Sequence, residues 1–183
     1  MKAVVLRDIT NSDDIVLEDI EMPKARTGWV LVKILAFGMN HSELVLRVNE
    51  IRADYISKPV VPGIECVGIV EESLDVGFEK GDLVCSLMGG LGRNFNGSYE
   101  EYAVLPVQKL FHICSNLDAA HLAAIPETFF TAWGSLFECL NLQPSDTLLV
   151  PSRPSGPRSR PRGCPAGHWD SFPAPPPASP PGS

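Results

Sequence analysis

The stretch Trp29-Val-Leu-Val-Lys-Ile-Leu-Ala36 decides the fold class of this 183-residue chain. It is a short run rich in Val, Ile and Leu with Gly28 and Gly38 close to its two ends, which is the pattern of a β-strand. Further segments of this kind, separated by Gly, Pro, Asn or Asp, cover residues 2–6, 15–20, 64–71, 83–87, 99–104 and 110–113. Many short strands at this spacing predict a barrel-like or sandwich domain over residues 1–117.

Helical signals first interrupt the strands and then follow them. Either Asn40 or Ser42 can cap a helix that carries Leu44 and Leu46. Residues 118–124 and 127–140 also have helical spacing, and Pro126 between them suits a helix start. A strand is predicted at 147–150, where the sequence reads Thr-Leu-Leu-Val. Because an α/β unit opens in this order, we predict the beginning of an α/β domain over residues 118–150.

The composition changes abruptly after Val150. Residues 151–183 hold most of the chain's 17 prolines and very few large apolar residues. A segment that has so little to bury cannot offset the entropy lost on ordering. The sequence therefore predicts a disordered tail with some polyproline II conformation over residues 151–183.

Composition and charge exclude several classes of function. The formal net charge is −7, whereas binding of nucleic acid or of an anionic membrane surface needs clustered Lys and Arg. No apolar run approaches the roughly 20 residues that span a bilayer, and the N-terminus meets charge too early for a signal peptide. We therefore expect a cytoplasmic protein, in which the 5 cysteines are reduced core thiols. Neither the cysteines nor the 4 histidines have the spacing of metal ligands.

A set of short motifs follows a fixed order along the first 150 residues. The motifs are Met1-Lys-Ala-Val-Val5, Gly38-Met-Asn-His-Ser-Glu43, Pro62-Gly-Ile-Glu-Cys-Val-Gly-Ile-Val-Glu71, Lys80-Gly-Asp-Leu-Val84, Gly97-Ser-Tyr-Glu-Glu-Tyr-Ala103 and Ala123-Ala-Ile-Pro-Glu-Thr-Phe-Phe-Thr-Ala-Trp133. Together they resemble the medium-chain dehydrogenase/reductase superfamily in its zinc-free, quinone-oxidoreductase-like branch. The resemblance implies a mostly β, partly open GroES-like barrel with a few helices. It also implies a Rossmann domain, of which residues 118–150 supply only the first helices and strand.

The resemblance implies an NAD(P)H-dependent, zinc-independent oxidoreductase that acts on a quinone, an enone or a related small-molecule carbonyl. Zinc members of the superfamily hold their catalytic metal through Cys, His and Cys. The matching positions here carry Asn40, Ile64 and Glu127, so we expect no metal site, and a zinc-type alcohol dehydrogenase is disfavoured. Members commonly form homodimers through their sheets, an interface that we expect this chain to have lost.

The same resemblance places five candidate residues in the cleft. Asn40, Ser42 and Glu65 are candidate catalytic residues, of which Asn40 can donate an amide N–H to a substrate oxygen. His41 and Thr131 are candidate contacts of the nicotinamide cofactor. Each candidate also has a purely structural interpretation. Asn40 and Ser42 can be helix caps, His41 a solvated side chain, Glu65 a hydrogen-bonded core carboxylate, and Thr131 a hydroxyl bonded within its own helix.

Arg93 and Tyr99 flank a glycine-rich loop, and either side chain can line the cleft.

The dinucleotide loop of the superfamily is expected directly after residue 150. The sequence there has a single glycine, Gly156, among prolines that remove backbone donors and prevent a helix. We therefore expect a truncated form with little or no activity, produced by a frameshift or an altered splice at codon 151. An alternative hypothesis is a non-catalytic GroES-like domain whose tail binds partners through P-x-x-P segments such as Pro173-Ala-Pro-Pro176.

Overall fold

Short strands and short helices alternate along the chain. A computed structural model describes residues 1–150. The strands are β1 Lys2–Val4, β2 Leu17–Asp19, β3 Trp29–Ala36, β4 Glu65–Glu72, β5 Leu83–Leu87, β6 Tyr102–Pro106 and β7 Leu110–His112. The α-helices are α1 His41–Val48, α2 Ala119–Ala123 and α3 Pro126–Trp133, and α3 continues as a π-helix over Gly134–Cys139. Turns of 3-10 helix lie at Ser12–Asp14, Glu50–Arg52 and Val107–Lys109.

The strands form a curled, open barrel. Five of them pair antiparallel in the order β6-β3-β4-β5-β7, and β1 and β2 form a separate two-stranded sheet. The register between β3 and β4 shifts at Leu31/Val32 and again at Ile34/Ala36, which are bulge positions that bend a sheet. This is the predicted GroES-like architecture, a half-barrel that carries a few helices.

The main core lies on one face of the five-stranded sheet. Val30 and Val32 of β3, Val70 of β4, Val84 of β5 and Leu105 of β6 are buried together there. A second cluster joins α1 to the N-terminal strand region through Leu46, Leu6 and Val60. On the opposite face of β4, Val67 packs against Leu122 and Ala123 of α2, and this third cluster fixes the helices beside the sheet. These three clusters hold α1, β4 and α2 in fixed positions around the site described below.

One carboxyl group is buried without a hydrogen-bond partner. Glu100, just before β6, is only 6% exposed, and neither of its carboxyl oxygens has a partner among the residues that the structure describes. Burial alone raises the pKa of Glu100 to about 8. The side chain is therefore largely protonated at neutral pH, which is the cheaper form for a carboxyl removed from water.

The strand predictions agree closely with the structure near the core and less well at the margins. The predicted limits of β3 and β5 coincide with those observed, whereas β6 begins at Tyr102 rather than at the predicted residue 99. Residues 99–101 bond mainly to other segments, since Tyr99 N donates to Pro62 O and Glu101 N to Lys2 O, and only Glu101 O accepts from β3, at Ile34 N. The predicted helices near residues 40, 118 and 127 are all present.

Two predictions are wrong. Residues 147–150 form no strand. They lie in a separate unit that begins at Leu140. This unit contains a turn in which Asp146 N donates to Gln143 O. A strand needs a neighbour to bond, and Leu140–Val150 contains none. Of the four free cysteines in the described residues, Cys114 and Cys139 are exposed and are not core thiols. Burial, by contrast, raises the pKa of Cys66 to about 12.

Three further expectations remain open after the fold is described. The compact unit runs from Met1 to Cys139, and the boundary expected at 117/118 stays a prediction. Over residues 1–150, no helix combines the length and the apolar character that crossing a bilayer demands. The disordered tail and its P-x-x-P segments fall on residues 151–183, outside the described residues.

Candidate functional site

A buried carboxylate on β4 lies at the centre of the candidate site. Glu65 is 2% exposed, and both of its oxygens accept hydrogen bonds from uncharged donors. Oε1 accepts from Asn40 Nδ2 at 2.8 Å, and Oε2 accepts from the backbone N of Glu127 at 2.8 Å. Glu127 lies in the first turn of α3, where backbone N–H groups lack helical partners and carry partial positive charge. Glu65 thus joins β4 to the starts of α1 and α3.

The start of α1 holds Asn40 from its backbone side. Asn40 is the N-cap of the helix, and its backbone N donates to Glu43 Oε2 at 2.7 Å. The other oxygen of Glu43 accepts from Ile64 N at 3.1 Å, next to Glu65 in the chain. Glu43 is 7% exposed, and burial raises its pKa, although the hydrogen bonds from Asn40 and Ile64 oppose this rise. Asn40 is therefore fixed at both its main chain and its side chain.

Asn40 retains hydrogen-bonding capacity that residues 1–150 do not use. An Asn amide nitrogen has two N–H donors. One of them is directed to Glu65 Oε1, and the other makes no hydrogen bond to any residue that the structure describes. Since Asn40 is only half-buried, its second N–H is a pre-oriented donor at the surface of the site.

Gly38 makes the approach of β4 to this loop possible. A Cβ atom on Gly38 would lie 2.2 Å from Glu65 Oε1 and 3.3 Å from the backbone oxygen of Ala123. Any larger residue would collide with the carboxylate that orients Asn40. The Gly38-Met-Asn motif thus carries a glycine where the site has no room for a side chain.

An aromatic pair borders the site. The rings of Phe37 and Tyr99 are stacked, with centroids 4.5 Å apart and an interplanar angle of 24°. Tyr99 also packs on Gly63, two residues before Glu65, since a Cβ on Gly63 would lie 2.8 Å from Tyr99 Cδ1. Burial, and next the nearby charges of Glu43 and Glu65, raise the pKa of the Tyr99 phenol. Tyr99 therefore stays a neutral donor at any physiological pH.

Arg93 ties the glycine-rich loop to α1. Its guanidinium donates to Glu50 Oε2 from Nε at 3.0 Å and from Nη2 at 2.8 Å, and to Ser42 Oγ at 2.9 Å. Arg93 and Glu50 are partly buried, with side-chain exposures of 21% and 28%. Ser42 Oγ thus already accepts from Arg93, and its hydroxyl hydrogen remains available.

The structure brings some candidate residues together and leaves others apart. Asn40 and Glu65 are in direct contact, and Ser42 lies two residues after Asn40 in the first turn of α1. His41 is exposed at the first position of α1 and makes no hydrogen bond to any of the residues described. Thr131 Oγ1 donates to Glu127 Oε1 at 2.8 Å, so it is bonded within its own helix through a side chain.

Two supporting residues escaped the sequence analysis. Glu43 lies three residues after Asn40, the spacing of a capping box, and this signal predicts the bond that it makes. The sequence gives no comparable signal for Phe37, because an aromatic residue directly after a strand is as often part of the core as part of a site.

The donor set around Asn40 is a poor one for a metal. The positions that match zinc ligands carry an amide already bonded to Glu65, an aliphatic Ile64 that is 4% exposed, and the single carboxylate of Glu127. Zinc sites in proteins are built from Cys, His and carboxylate groups, three of them at a catalytic centre. Within residues 1–150, no group of three or more such side chains is arranged to hold a metal ion.

Comparison with known proteins defines the class to which this half-barrel belongs. Residues 26–115 match the alcohol dehydrogenase GroES-like domain family. The chain belongs to the medium-chain dehydrogenase/reductase superfamily.

Two curated relatives show how much of the chain is shared. A zinc-type alcohol dehydrogenase-like protein of Schizosaccharomyces pombe is 34% identical over 170 residues, which covers 82% of this chain and 49% of the relative. The human synaptic vesicle membrane protein VAT-1 homolog-like is 34% identical over 159 residues, which covers 85% of this chain and 36% of the relative. The chain thus spans about half or less of the length of these relatives.

Solved structures agree with the sequence relatives. An NAD-dependent alcohol dehydrogenase superposes with a TM-score of 0.72 at 29% identity, covering 80% of this chain and 49% of that one. The quinone oxidoreductase of Thermus thermophilus, which was also solved with NADPH, gives a TM-score of 0.60 at 26% identity. That match covers 76% of this chain and 41% of the Thermus protein.

Proposed function

We propose that this chain carries the substrate-side domain of an NAD(P)H-dependent, zinc-independent oxidoreductase that reduces a quinone, an enone or a related carbonyl. The observation that carries the proposal is the Asn40 amide, which Glu65 and Glu43 hold in place while one N–H stays unused. A fixed neutral donor is suited to polarising a carbonyl oxygen. The names of the similar proteins, which include a quinone oxidoreductase and an NAD-dependent alcohol dehydrogenase, support the same class of reaction.

The residues of the site then have distinct tasks. The nicotinamide, when bound, supplies a hydride. Asn40 donates to the carbonyl oxygen and stabilises the negative charge that grows there as the carbon is reduced. Glu65 orients that amide. By the family resemblance, the hydroxyl of Ser42 would belong to a path that passes a proton toward the solvent. By the family resemblance, His41 and Thr131 are the residues of this chain that would contact the cofactor.

Zinc chemistry does not fit these residues. The matching positions offer one carboxylate, one committed amide and one aliphatic side chain, as described above. We therefore route no step through a metal and assign polarisation of the carbonyl to hydrogen bonding alone.

Binding of a small conjugated carbonyl tests this proposal. Isophorone is a neutral enone with a fully substituted β carbon, so that the exposed thiols of Cys114 and Cys139 add to it slowly. We expect saturable binding to the 183-residue protein in an NMR titration, weakened about three- to tenfold by Asn40→Ser, which keeps a good N-cap but removes the amide donor. The matched control is Asn49→Ser at the exposed other end of α1. If isophorone does not bind, or binds Asn40→Ser unchanged, the proposal is wrong.

We further propose that the 183-residue chain alone binds NADPH weakly and has little or no turnover. A pyrophosphate site needs glycines and a helix N-terminus after its strand. The sequence from Pro151 to Pro161 offers one glycine among four prolines, which lack backbone donors. Calorimetry with NADPH measures this directly, and a dissociation constant below the millimolar range would contradict the proposal.

A further inference from the structure

A surface recess with a lining of its own lies between the segment before β3, the glycine-rich loop and β6. Its volume is about 320 Å³, at the lower end of the range of small-molecule sites. Its apolar lining residues are half-buried, and they are Pro23, Trp29, Phe95 and Val104. The described lining includes neither Asn40 nor Glu65. The recess is therefore distinct from the candidate site.

Two aromatic rings form an ordered wall of the recess. The rings of Trp29 and Phe95 meet edge to face, with centroids 5.2 Å apart and an interplanar angle of 90°. This is a preferred geometry of aromatic pairs. Trp29 is the first residue of β3 and pairs with Pro106 of β6, and Phe95 packs against the main core. A flat ligand therefore meets a wall whose position the fold already fixes.

Two cationic side chains without counter-charges line the same recess. Lys24 and Arg26 are exposed, and neither makes an ion pair among residues 1–150. The other arginines in this range each donate to a carboxylate or a backbone oxygen, and they are Arg7, Arg47, Arg52 and Arg93. Arg26 instead lies over the Trp29 ring, with Cζ 4.5 Å from the ring centroid. A guanidinium on an aromatic face still presents its N–H fork to an acceptor.

The rest of the lining does not cancel this positive charge. Glu100 is the acid in the described lining. Burial raises the pKa of Glu100 to about 8, so that this carboxyl is largely protonated at neutral pH and repels an anion little. Asn96 adds neutral donors, since its Oδ1 accepts from Val61 N while its amide N–H groups have no acceptor among residues 1–150. The recess is therefore a basic spot on a chain of formal net charge −7.

We propose that this recess binds a small aromatic carboxylate, with the ring against Trp29 and Phe95 and the carboxylate at Arg26 and Lys24. A guanidinium matches a carboxylate because two parallel N–H groups meet its two oxygens. An inorganic anion would leave the aromatic wall uncovered, and a neutral arene would leave both cations without an acceptor. The inference is independent of the proposed function, since the two sites use different residues.

Three ligands separate the contributions of charge and ring. The carboxylate 2-naphthoate carries both features, 2-naphthamide has the same shape without the charge, and octanoate has the charge without the ring. We expect the 183-residue protein to bind 2-naphthoate about three- to tenfold more tightly than either of the others. The measurement is an NMR titration that follows the indole N–H signals of the 3 tryptophans. The Trp29 signal should shift with 2-naphthoate, while the signal of Trp133, which is exposed on α3, should stay in place.

Removing the two cations tests the charged part of the recess. The double variant Lys24→Gln/Arg26→Gln should bind 2-naphthoate about three- to tenfold more weakly and 2-naphthamide unchanged. Both residues are exposed, so the fold should survive the change. The matched control is Lys33→Gln/Lys58→Gln, which removes the same charge from exposed positions outside the recess and should leave all affinities unchanged.

Each other outcome contradicts a stated part of the proposal. Equal affinities for 2-naphthoate and 2-naphthamide would refute the role of the cations, and octanoate binding as tightly as 2-naphthoate would refute the aromatic class. A shift of Trp133 in place of Trp29 would locate the ligand on α3 and overturn the recess as its site. Asn40→Ser should bind 2-naphthoate like the wild type, and a loss of binding there would assign the ligand to the candidate site instead. If 2-naphthoate does not bind, this inference is wrong, whatever the result with isophorone.

Discussion

Replacing Glu100 by Gln should remove a large part of the dependence of stability on pH between pH 5 and pH 8. The wild-type carboxyl is buried without a partner, and burial raises its pKa to about 8 from an ordinary value of 4.5. Between these values the folded protein keeps a proton that the unfolded chain releases. The unfolded state therefore binds fewer protons, and the free energy of unfolding falls as pH rises.

The size of this effect follows from the two pKa values. One pH unit of differential protonation is worth about 1.4 kcal/mol. Relative to low pH, the proton that the unfolded chain releases from Glu100 lowers the free energy of unfolding by about 1 kcal/mol at pH 5 and by about 4 kcal/mol at pH 8. The stability that the neutral carboxyl provides is complete below about pH 4.5 and is lost as pH rises through about 8.

Urea unfolding at pH 5, 6, 7 and 8 measures this loss. Glu100→Gln places a group of the same shape that cannot ionise, so any cost of burying its amide is the same at every pH. We expect the difference between Glu100→Gln and wild type to change by about 3 kcal/mol in favour of the variant from pH 5 to pH 8. The control Glu21→Gln removes an exposed carboxyl and should follow the wild type. Parallel curves for wild type and Glu100→Gln would refute the argument from burial.

Two further predictions concern the site loop and the helix surface. Gly38→Ala places a Cβ 2.2 Å from a central carboxylate oxygen and should lower the free energy of unfolding by about 1–3 kcal/mol. Gly134→Ala, where a Cβ meets nothing within 4 Å at a helical φ of −58°, should be neutral or stabilising. Thermal unfolding compares the two, and equal melting temperatures would contradict the close approach at Gly38. Phe129 and Phe130 are 60% and 61% exposed on α3, so the purified protein should bind a hydrophobic dye and self-associate. Replacing both Phe129 and Phe130 by Ser should lower the dye fluorescence more than the control Val76→Ser at another exposed position. A wild-type protein that is monomeric and does not bind the dye would contradict this reasoning.

The sequence was most informative where burial decides the structure. β3 is a short run rich in Val, Ile and Leu with glycines close to its ends, and its limits were predictable to the residue. The prediction of a strand at 147–150 was wrong because the apolar pattern of these residues does not show whether a neighbouring strand is present to form hydrogen bonds with them. Asn40 was also predictable as a cap, since that role depends on residues within one turn.

The geometry of the site was less accessible from sequence. Asn40 and Glu65 are separated by 25 residues in the sequence, and Glu65 and Glu127 by 62. The local pattern of apolar residues therefore cannot predict that these side chains contact one another. The family resemblance placed these residues near a cleft, but it did not show which side chain holds which. Tyr99 was evident only as a residue beside a glycine-rich loop. Its relation to Glu43 depends on how the chain packs after β5.

The hydrogen bonds of Glu65 also have a consequence for the order of folding. They join three segments that lie far apart in the chain, and bringing such segments together requires closing long loops. No isolated fragment that lacks one of the three segments contains all of these contacts. The donor on Asn40 therefore becomes oriented only when α1, β4 and α3 have all docked. A chain in which any one of these three segments has come away therefore lacks this arrangement of Asn40, Glu65 and Glu127.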